Sequence, residues 1–346
     1  MPAKGEDVHS AEGVKWDVAV VGGGIVGLSI AYRAQQRGLR VVVLDRGGDA
    51  ASRHAAGMLA PVSEAEIGHG ELLGDGLEAA GAWPAFADEL GVALHTAGTL
   101  VVARDRDEAE ALDRERAFRE RLGLTVERLL PSAARRLEPA LAPTIRLALH
   151  VADDRAVDPR EVVAALAARV EVREPAEVAE VGEGEARLAS GEVVVAETVV
   201  VAAGAWSAKL ADVPVRPVKG QILRLRDPRG AGLVERVLRF EGGYLVPRGD
   251  GRYVLGATVE ERGFDTTVTA GGVYELLRDA TEIVPGISEL VVEEAAAALR
   301  PGTRGNVPIV ERRGRTIVAT GHFRNGVLLA PLTADRVVEM LERVPA

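Results

Sequence analysis

Hydrophobic and polar positions follow two patterns along the chain, and each predicts a different kind of sheet. Apolar runs without alternation, at residues 17–21, 39–44 and 193–203, are typical of strands buried on both faces of a parallel sheet. Between the first two runs, residues 25–36 predict a helix. Residues 221–259 instead predict short strands separated by glycine turns, which is typical of an antiparallel sheet.

The remaining predicted elements complete an alternation of helices and strands. Asp158 and Pro159 begin one helix, because aspartate caps a first turn and proline suits the first helical position. The helix that begins at Asp158 and Pro159 lies within residues 156–169. The other predicted helices span residues 77–90, 107–122, 131–137, 271–283 and 333–343. Further strands are predicted over 94–103, with a turn at Gly98, and over 316–320. We therefore expect α/β segments that are interrupted by inserts richer in antiparallel strands.

A glycine pattern joins the first strand to the first helix. Gly22, Gly24 and Gly27 have G-x-G-x-x-G spacing, which permits a tight turn, a pyrophosphate close to the backbone and a helix packed closely on the sheet. Asp45 ends the next strand, at the position that binds an adenosine ribose 2′-hydroxyl. A glycine turn alone can be purely structural, but here the strand, turn, helix, second strand and acid occur together. The sequence therefore predicts a dinucleotide site in a Rossmann-like domain.

Composition narrows the class of protein. The 346 residues suit two domains, and no apolar run reaches the roughly 18–20 residues of a membrane span. The absence of cysteine excludes disulfides, thiolate metal sites and cysteinyl flavin attachment, and it favours a cytoplasmic location. A net charge of −10 argues against nucleic acid as a partner. Residues 1–15 are polar, and we expect them to form a disordered leader.

Several motifs, taken in order, resemble one enzyme family. They are VVGGGIVG (20–27), HAAGMLAP (54–61), VVVAAGAWS (199–207), PVKGQ (217–221), YLVPR (244–248), LRPGT (299–303) and GHFRNGVLLAP (321–331). The set resembles the FAD-dependent amine oxidases of the D-amino acid oxidase and sarcosine oxidase superfamily, and is most similar to the glycine oxidases of thiamine biosynthesis. The resemblance covers nearly all of the chain after residue 15.

The resemblance implies a fold and a domain plan. It implies a discontinuous FAD/NAD(P)-binding Rossmann-like domain over 16–90, 150–220 and 306–346. It also implies an inserted α+β substrate domain, built on an antiparallel sheet, over 91–149 and 221–305. A homo-oligomer is expected from the resemblance alone.

The resemblance also implies the cofactor, FAD, and the positions that contact it. Small residues at 55–57 would let backbone approach a flat isoalloxazine ring, and the turn before the last helix would favour a reduced, anionic flavin. Tight helix packing is the alternative for the first segment, and Trp206 is as well explained by a core position. The implied contacts are Gly22, Gly24, Ile25, Val26, Gly27, Asp45, Arg46, Ser52, His54, Ala56, Gly57, Met58, Val178, Ala203, Gly204, Trp206, Gly321, His322, Phe323, Arg324, Asn325, Gly326, Val327 and Leu328.

The implied activity is oxidation of a small amino acid by hydride transfer to flavin N5, with oxygen as acceptor. The products would be a 2-oxo acid such as glyoxylate, ammonia or an amine, and hydrogen peroxide. No catalytic acid or base is expected, but the substrate carboxylate needs a partner, and a guanidinium matches it in two prongs. Arg300 resembles the family's carboxylate-binding arginine, and the proline and glycine that follow it at 301–302 predict a turn that projects its side chain into a cleft. Arg324 is the second candidate. Tyr244 would close over the substrate or else pack in the core, and Met58 would line the pocket.

Two departures from the family pattern leave alternatives open. Val259 stands where the pattern places methionine, which puts the pocket size in doubt. His54 precedes Ala-Ala-Gly, where a histidine is the covalent flavin link in enzymes like dimethylglycine dehydrogenase; a histidine near the pyrophosphate or at the surface is the alternative. An oxidase or dehydrogenase of sarcosine, dimethylglycine or D-amino acids therefore competes with glycine oxidation. A non-enzymatic FAD- or NAD-binding regulator or subunit is a third interpretation.

Overall fold

A computed structural model describes residues 16–48, 50–65, 70–230 and 232–343. The leader expected at residues 1–15 lies outside the described residues. The helices are α1 Ile25–Gln36, α2 Ala51–His54, α3 Gly70–Leu90, α4 Arg106–Arg121, α5 Pro131–Leu137, α6 Pro159–Ala167, α7 Ser207–Leu210, α8 Ala270–Ile283 and α9 Ala330–Glu342. Within the described part of the chain, no helix is both long and apolar enough to cross a membrane.

The strands fall into two large sheets and a small one. They are β1 Trp16–Val21, β2 Val41–Leu44, β3 Met58–Leu59, β4 Leu94–His95, β5 Thr99–Ala103, β6 Glu127–Leu129, β7 Leu147–Val151, β8 Arg155–Val157, β9 Glu171–Arg173, β10 Val178–Gly182, β11 Glu185–Leu188, β12 Val193–Val201, β13 Arg216–Arg226, β14 Val237–Phe240, β15 Gly243–Pro247, β16 Arg252–Gly256, β17 Val291–Gly302, β18 Ile309–Arg313 and β19 Thr316–Thr320.

The first large sheet carries the predicted dinucleotide segment. Its parallel part runs β19–β12–β1–β2–β9, and β10, β11 and β18 join it in antiparallel pairs. β1 and β2 are almost entirely buried, as their unbroken apolar runs predict. One apolar core holds α1, α3 and α9 against this sheet, with Trp83, Phe86 and Ile30 fully buried in it.

The second large sheet runs in the order β17–β13–β16–β15–β14–β5–β7–β6. Its pairs are antiparallel except for β14 with β5. One face packs against α8 and α5 through a large apolar cluster that includes Leu223, Leu245 and Leu276. The other face carries a smaller apolar cluster, which includes Ile222, Val246 and Val254. This α/β architecture with an antiparallel second sheet is the predicted fold class, while the domain limits stay a prediction.

The structure corrects several boundaries, three of which concern the elements around the site. α3 begins at Gly70 instead of 77 and continues through Pro84, although glycines at 74 and 76 argue against a helix. Gly76 is explained by packing, because a Cβ there would lie 3.1 Å from Pro61 Cβ. α9 begins at Ala330, three residues before the predicted start. The LRPGT segment was predicted to turn after Arg300, but β17 continues to Gly302, which pairs with Arg216 across β13.

Candidate active site

A cavity of about 990 Å³ lies between the two large sheets and is lined by residues of both. One part of its wall comes from the glycine-rich turn, the end of β2 and the residues after β12. Another part comes from β13, β15, the chain after β16, and the end of β17. The dinucleotide segment and the expected substrate residues therefore face a common space, which the sequence alone did not establish.

The glycine turn is shaped by close backbone packing. Gly22 has a φ of +111°, and a Cβ on it would lie 2.5 Å from the Ala202 carbonyl oxygen. A Cβ on Gly27 would overlap the Gly22 carbonyl oxygen, so α1 can approach the turn only through glycine. α1 has no side-chain cap from Gly24, but the Ile25 N–H donates to Ser52 Oγ at 2.9 Å. The helix N-terminus opens into the cavity, where it favours an anionic group.

Asp45 lies beside this turn, as the fingerprint predicts. Its Oδ1 accepts the Gly47 N–H at 2.8 Å, and its Oδ2 accepts the Gly23 N–H. Each carboxylate oxygen keeps a further lone pair for a ribose hydroxyl. Together, the crowded glycines, the open helix end and this acid fit the pyrophosphate and ribose of FAD.

Arg46 and Trp206 extend the same wall. The Arg46 guanidinium carbon lies 3.6 Å from the Trp206 ring centroid, which is a close cation–π contact. Trp206 is only partly buried, so the alternative of a core position is wrong. Val178, Ala203 and Gly204 also line the cavity here.

The HAAGML segment owes part of its composition to packing. A Cβ on Gly57 would overlap the Val157 carbonyl oxygen, so this glycine is needed whether or not a cofactor is bound. Ala56 and Met58 line the cavity, and Met58 belongs to β3. His54 is 5% exposed and lines the cavity, with Nδ1 3.6 Å from Glu294 Oε1.

The GHFRNG turn brings the chain from β19 to α9. His322 is buried, its Nε2 lies 2.9 Å from Thr333 Oγ1, and burial lowers its pKa to about 4, so the ring is neutral. Phe323 adopts a φ of +47°, and its N–H donates to the Pro301 carbonyl oxygen at 3.1 Å. This bond ties the turn to the strand that carries Arg300.

The side chains of Arg300 and Tyr244 each pack directly over a glycine of a neighbouring strand. The guanidinium lies where a Cβ of Gly220 would be, and the Tyr244 hydroxyl oxygen lies 2.6 Å from the position of a Gly256 Cβ. Arg300 Nη1 donates to the Thr258 carbonyl oxygen at 3.1 Å. Both side chains therefore reach across the sheet face towards the cavity.

Burial dominates the ionisation of this pair. It lowers the pKa of Arg300 from its ordinary value, with the neighbouring Tyr244 opposing the shift and Arg324 adding to it. Burial also raises the pKa of the Tyr244 hydroxyl, and Arg300 opposes that shift. At neutral pH the site thus presents a cationic fork beside a neutral hydroxyl donor.

Most of the expected site residues line the cavity, and a few do not. Arg324 is exposed but lines the cavity, with its guanidinium carbon 5.5 Å from the Phe323 ring centroid. Ile25, Val26, Gly326 and Val327 also line it. The expected contacts outside its lining are Gly27, Gly321, Asn325 and Leu328. Leu328 is buried, and its carbonyl oxygen accepts the Trp83 indole N–H at 2.9 Å.

Sequence reasoning missed a charged pair in the same wall. Arg239 on β14 pairs directly with Tyr244 on β15, so the two side chains share a sheet face. Its Nη2 lies 3.8 Å from Glu64 Oε1, and both residues line the cavity. Alternation of side chains along the β14–β15 hairpin would have placed the two residues on one face, but this inference requires the register of the hairpin, which the structure supplies.

Comparisons with known proteins place this geometry in a family. The family model for DAO, FAD dependent oxidoreductase, matches residues 17–340. A glycine oxidase of Geobacillus kaustophilus is 34% identical, over 95% of this chain and 93% of that protein. A Rhizobium etli protein provisionally named thiamine biosynthesis oxidoreductase ThiO is 35% identical, over 94% of this chain and 96% of its own length.

A solved structure agrees with this assignment. The crystal structure of the glycine oxidase from Geobacillus kaustophilus superposes with a TM-score of 0.89 at 33% identity, covering 96% of each chain. The matched residues 17–340 include the glycine turn, Arg300 and the GHFRNG turn. The chain therefore belongs to the DAO family of FAD-dependent oxidoreductases.

Proposed function

We propose that this protein is an FAD-dependent oxidase of glycine and other small amino acids, yielding glyoxylate or another 2-oxo acid, ammonia or an amine, and hydrogen peroxide. The observation that carries the proposal is the partly buried Arg300 beside Tyr244, in the same cavity as the dinucleotide turn. The similarity to glycine oxidases over nearly the whole chain supports the choice of substrate.

FAD would be held mainly by backbone. The turn at Gly22 to Gly27 and the α1 N-terminus would receive the pyrophosphate, and Asp45 would accept the ribose hydroxyl. The GHFRNG turn would face the flavin. When bound, FAD accepts a hydride from the carbon beside the amine and passes the electrons to oxygen.

Arg300 would bind the substrate carboxylate. Its planar fork matches both carboxylate oxygens, and the Gly220 backbone beneath it keeps the guanidinium in a fixed plane. The neutral Tyr244 hydroxyl can donate to the same carboxylate. Two fixed contacts at one end of a small substrate determine where its α-carbon lies, and such positioning supplies a large share of the rate.

The substrate amine must arrive unprotonated, and the cavity favours this. The cationic Arg300, Arg324 and Arg239 face the cavity, and nearby positive charge disfavours a protonated amine. Glu64 opposes this effect from the same wall. A dedicated general base is therefore not part of the proposal.

Val259 favours a second substrate class. Val259 lines the cavity, and its side chain is shorter than that of methionine, so it restricts the pocket less than a methionine would. Sarcosine, dimethylglycine or larger D-amino acids are the alternative substrates, and a dehydrogenase acceptor is the alternative to oxygen. We also propose, from the relative named for thiamine biosynthesis, that the product supplies thiazole assembly in the cytoplasm.

A steady-state assay tests the proposal. Purified protein is given glycine, sarcosine, dimethylglycine, D-alanine and D-proline in air, and hydrogen peroxide and 2-oxo acid are measured. The expected result is equimolar peroxide and glyoxylate from glycine. Turnover that appears only with an artificial electron acceptor would contradict the oxidase, and turnover with none of these amines would contradict the substrate class.

A further inference from the structure

The segment of residues 257–269 connects the second large sheet to α8 and lies along the cavity wall. Its first residues extend the pairing of β13: the Lys219 N–H donates to the Glu260 carbonyl oxygen at 2.9 Å, and the Glu260 N–H donates back at 3.0 Å. Thr258, Val259, Glu260 and Arg262 line the cavity. The segment is therefore anchored at its base and borders the bound-ligand space.

A buried lysine fixes that base. Lys219 is 1% exposed, and its Nζ lies 3.5 Å from both Glu260 Oε2 and Asp265 Oδ2. Although burial opposes it, hydrogen bonds from Thr258 and Gln221 and the charge of Lys219 hold the pKa of Glu260 below its ordinary value. A lysine this deeply buried is rare unless its charge is matched, so the segment and the lysine depend on each other.

The tip of the segment reaches the other sheet. The Phe264 ring centroid lies 5.5 Å from that of Trp206, which follows β12 of the first sheet. Lys209 Nζ lies 4.8 Å from the Phe264 centroid, and the Arg46 guanidinium packs on Trp206. An aromatic contact thus closes a bridge between the two sheets beside Asp45 and Arg46, the residues expected at the adenosine end of FAD.

We propose that residues 257–269 form a clasp that retains FAD, with Lys219 as its anchor and the Phe264–Trp206 contact as its closure. The inference rests on the proposed FAD site, and it assigns to Phe264 and Lys219 a role in holding the cofactor. Release of FAD requires the closure to open. An aromatic pair of this kind changes an equilibrium constant by roughly two- to tenfold. An effect of this size alters the release of FAD but leaves the fold intact.

The test is the rate at which flavin leaves the holoenzyme after dilution into flavin-free buffer, followed by the fluorescence of free FAD. Phe264→Ala is expected to release FAD about tenfold faster, and Phe264→Tyr to restore the original rate. Lys219→Met removes the anchor and should also accelerate release. Tyr274→Ala is the matched control, because Tyr274 is a 63% exposed aromatic on α8 outside the clasp, and its release rate should equal that of the wild type.

The outcomes distinguish a failure of the clasp from a failure of the proposed function. Unchanged release from Phe264→Ala in a protein that carries FAD overturns the clasp and leaves the proposed function intact. Faster release that is accompanied by an equal loss of stability in the apoprotein also overturns it, because Phe264 would then only support the fold. A wild-type protein that takes up no FAD contradicts the proposed function itself, and the clasp with it.

Discussion

The two halves of the cavity wall are encoded in different ways. The glycine turn and Asp45 of the dinucleotide half come from one stretch of chain, in which Gly22 and Gly27 are fixed by backbone contacts within the stretch and with Ala202. The substrate half is built from separate strands: Arg300 lies over Gly220 of β13, and Tyr244 lies over Gly256 of β16. Local spacing determines the first half, and strand register determines the second.

This difference separates the consequences of mutation. Changes in the first half should act on the backbone, and thus on folding and FAD content together. Changes at Arg300 or Tyr244 in the second half should act on individual side chains, and thus on substrate recognition with FAD retained.

The largest effect is expected from Gly27→Val. A branched side chain would overlap the Gly22 carbonyl oxygen, and backbone cannot yield as a side chain can. We expect a loss of more than about 5 kcal/mol in the free energy of unfolding, with no FAD bound. Denaturant titration and flavin absorbance measure both. The matched control is Gly81→Ala, an exposed helical site with open space around it, which should be neutral or about 1 kcal/mol stabilising. Soluble, FAD-loaded Gly27→Val would refute the backbone account.

Arg300→Ala should come second, and only in substrate recognition. Removing the partner of a buried carboxylate should cost roughly 2–5 kcal/mol in kcat/KM for glycine, with FAD content unchanged. Arg300→Lys should recover part of this, because an ammonium cannot reproduce the fork. Arg324→Ala, at an exposed position, should cost less. Michaelis constants at wild-type values for Arg300→Ala would remove Arg300 from the site.

Acid should affect two buried groups, His322 and Asp154, with opposite sign. Burial lowers the pKa of His322 to about 4, so the unfolded chain takes up the proton first and stability falls between about pH 6.5 and 4. Burial raises the pKa of Asp154 to about 6, so the native state takes up the proton first and stability rises as the pH falls. Between pH 7 and 5 each contribution is about 1–2 kcal/mol.

Variants separate these two contributions. Urea denaturation of the apoprotein at pH 7 and 5 should show that His322→Gln removes the loss on acidification. The same measurement should show that Asp154→Asn makes the loss larger, since the compensating gain disappears. Identical pH dependence in wild type and both variants would show that neither buried group is titrated as described.

The smallest effect is expected from His54. The proposed FAD site at the glycine turn and Asp45 requires no covalent bond, so we expect the cofactor to be non-covalent although His54 lines the cavity. Acid precipitation should leave all of the flavin in the supernatant. Yellow colour that stays with the precipitated protein, and that is lost in His54→Ala, would establish a covalent link.

Particular residues show what the sequence could predict. α1, α5 and β19 were placed at their observed limits, because glycine, proline and apolar periodicity are local. The motif predicted Arg300 as a site residue, and Arg300 does line the cavity. The predicted turn after it was wrong, since β17 continues through Pro301 and Gly302 in register with β13. Arg239, Lys219 and Phe264 were missed because their partners, Glu64, Asp265 and Trp206, are distant in sequence. Contacts set by register and by loop closure leave no local pattern.

We propose that the second large sheet binds the substrate carboxylate. This contact places the carbon beside the substrate amine against FAD, which the first large sheet binds. The most direct measurement is anaerobic mixing of the purified holoenzyme with glycine or with methylamine, followed by flavin absorbance. The account predicts that glycine bleaches the flavin and that methylamine, which has no carboxylate for Arg300, does so at least tenfold more slowly at the same concentration. Equal bleaching by both amines, or none by either, would contradict it.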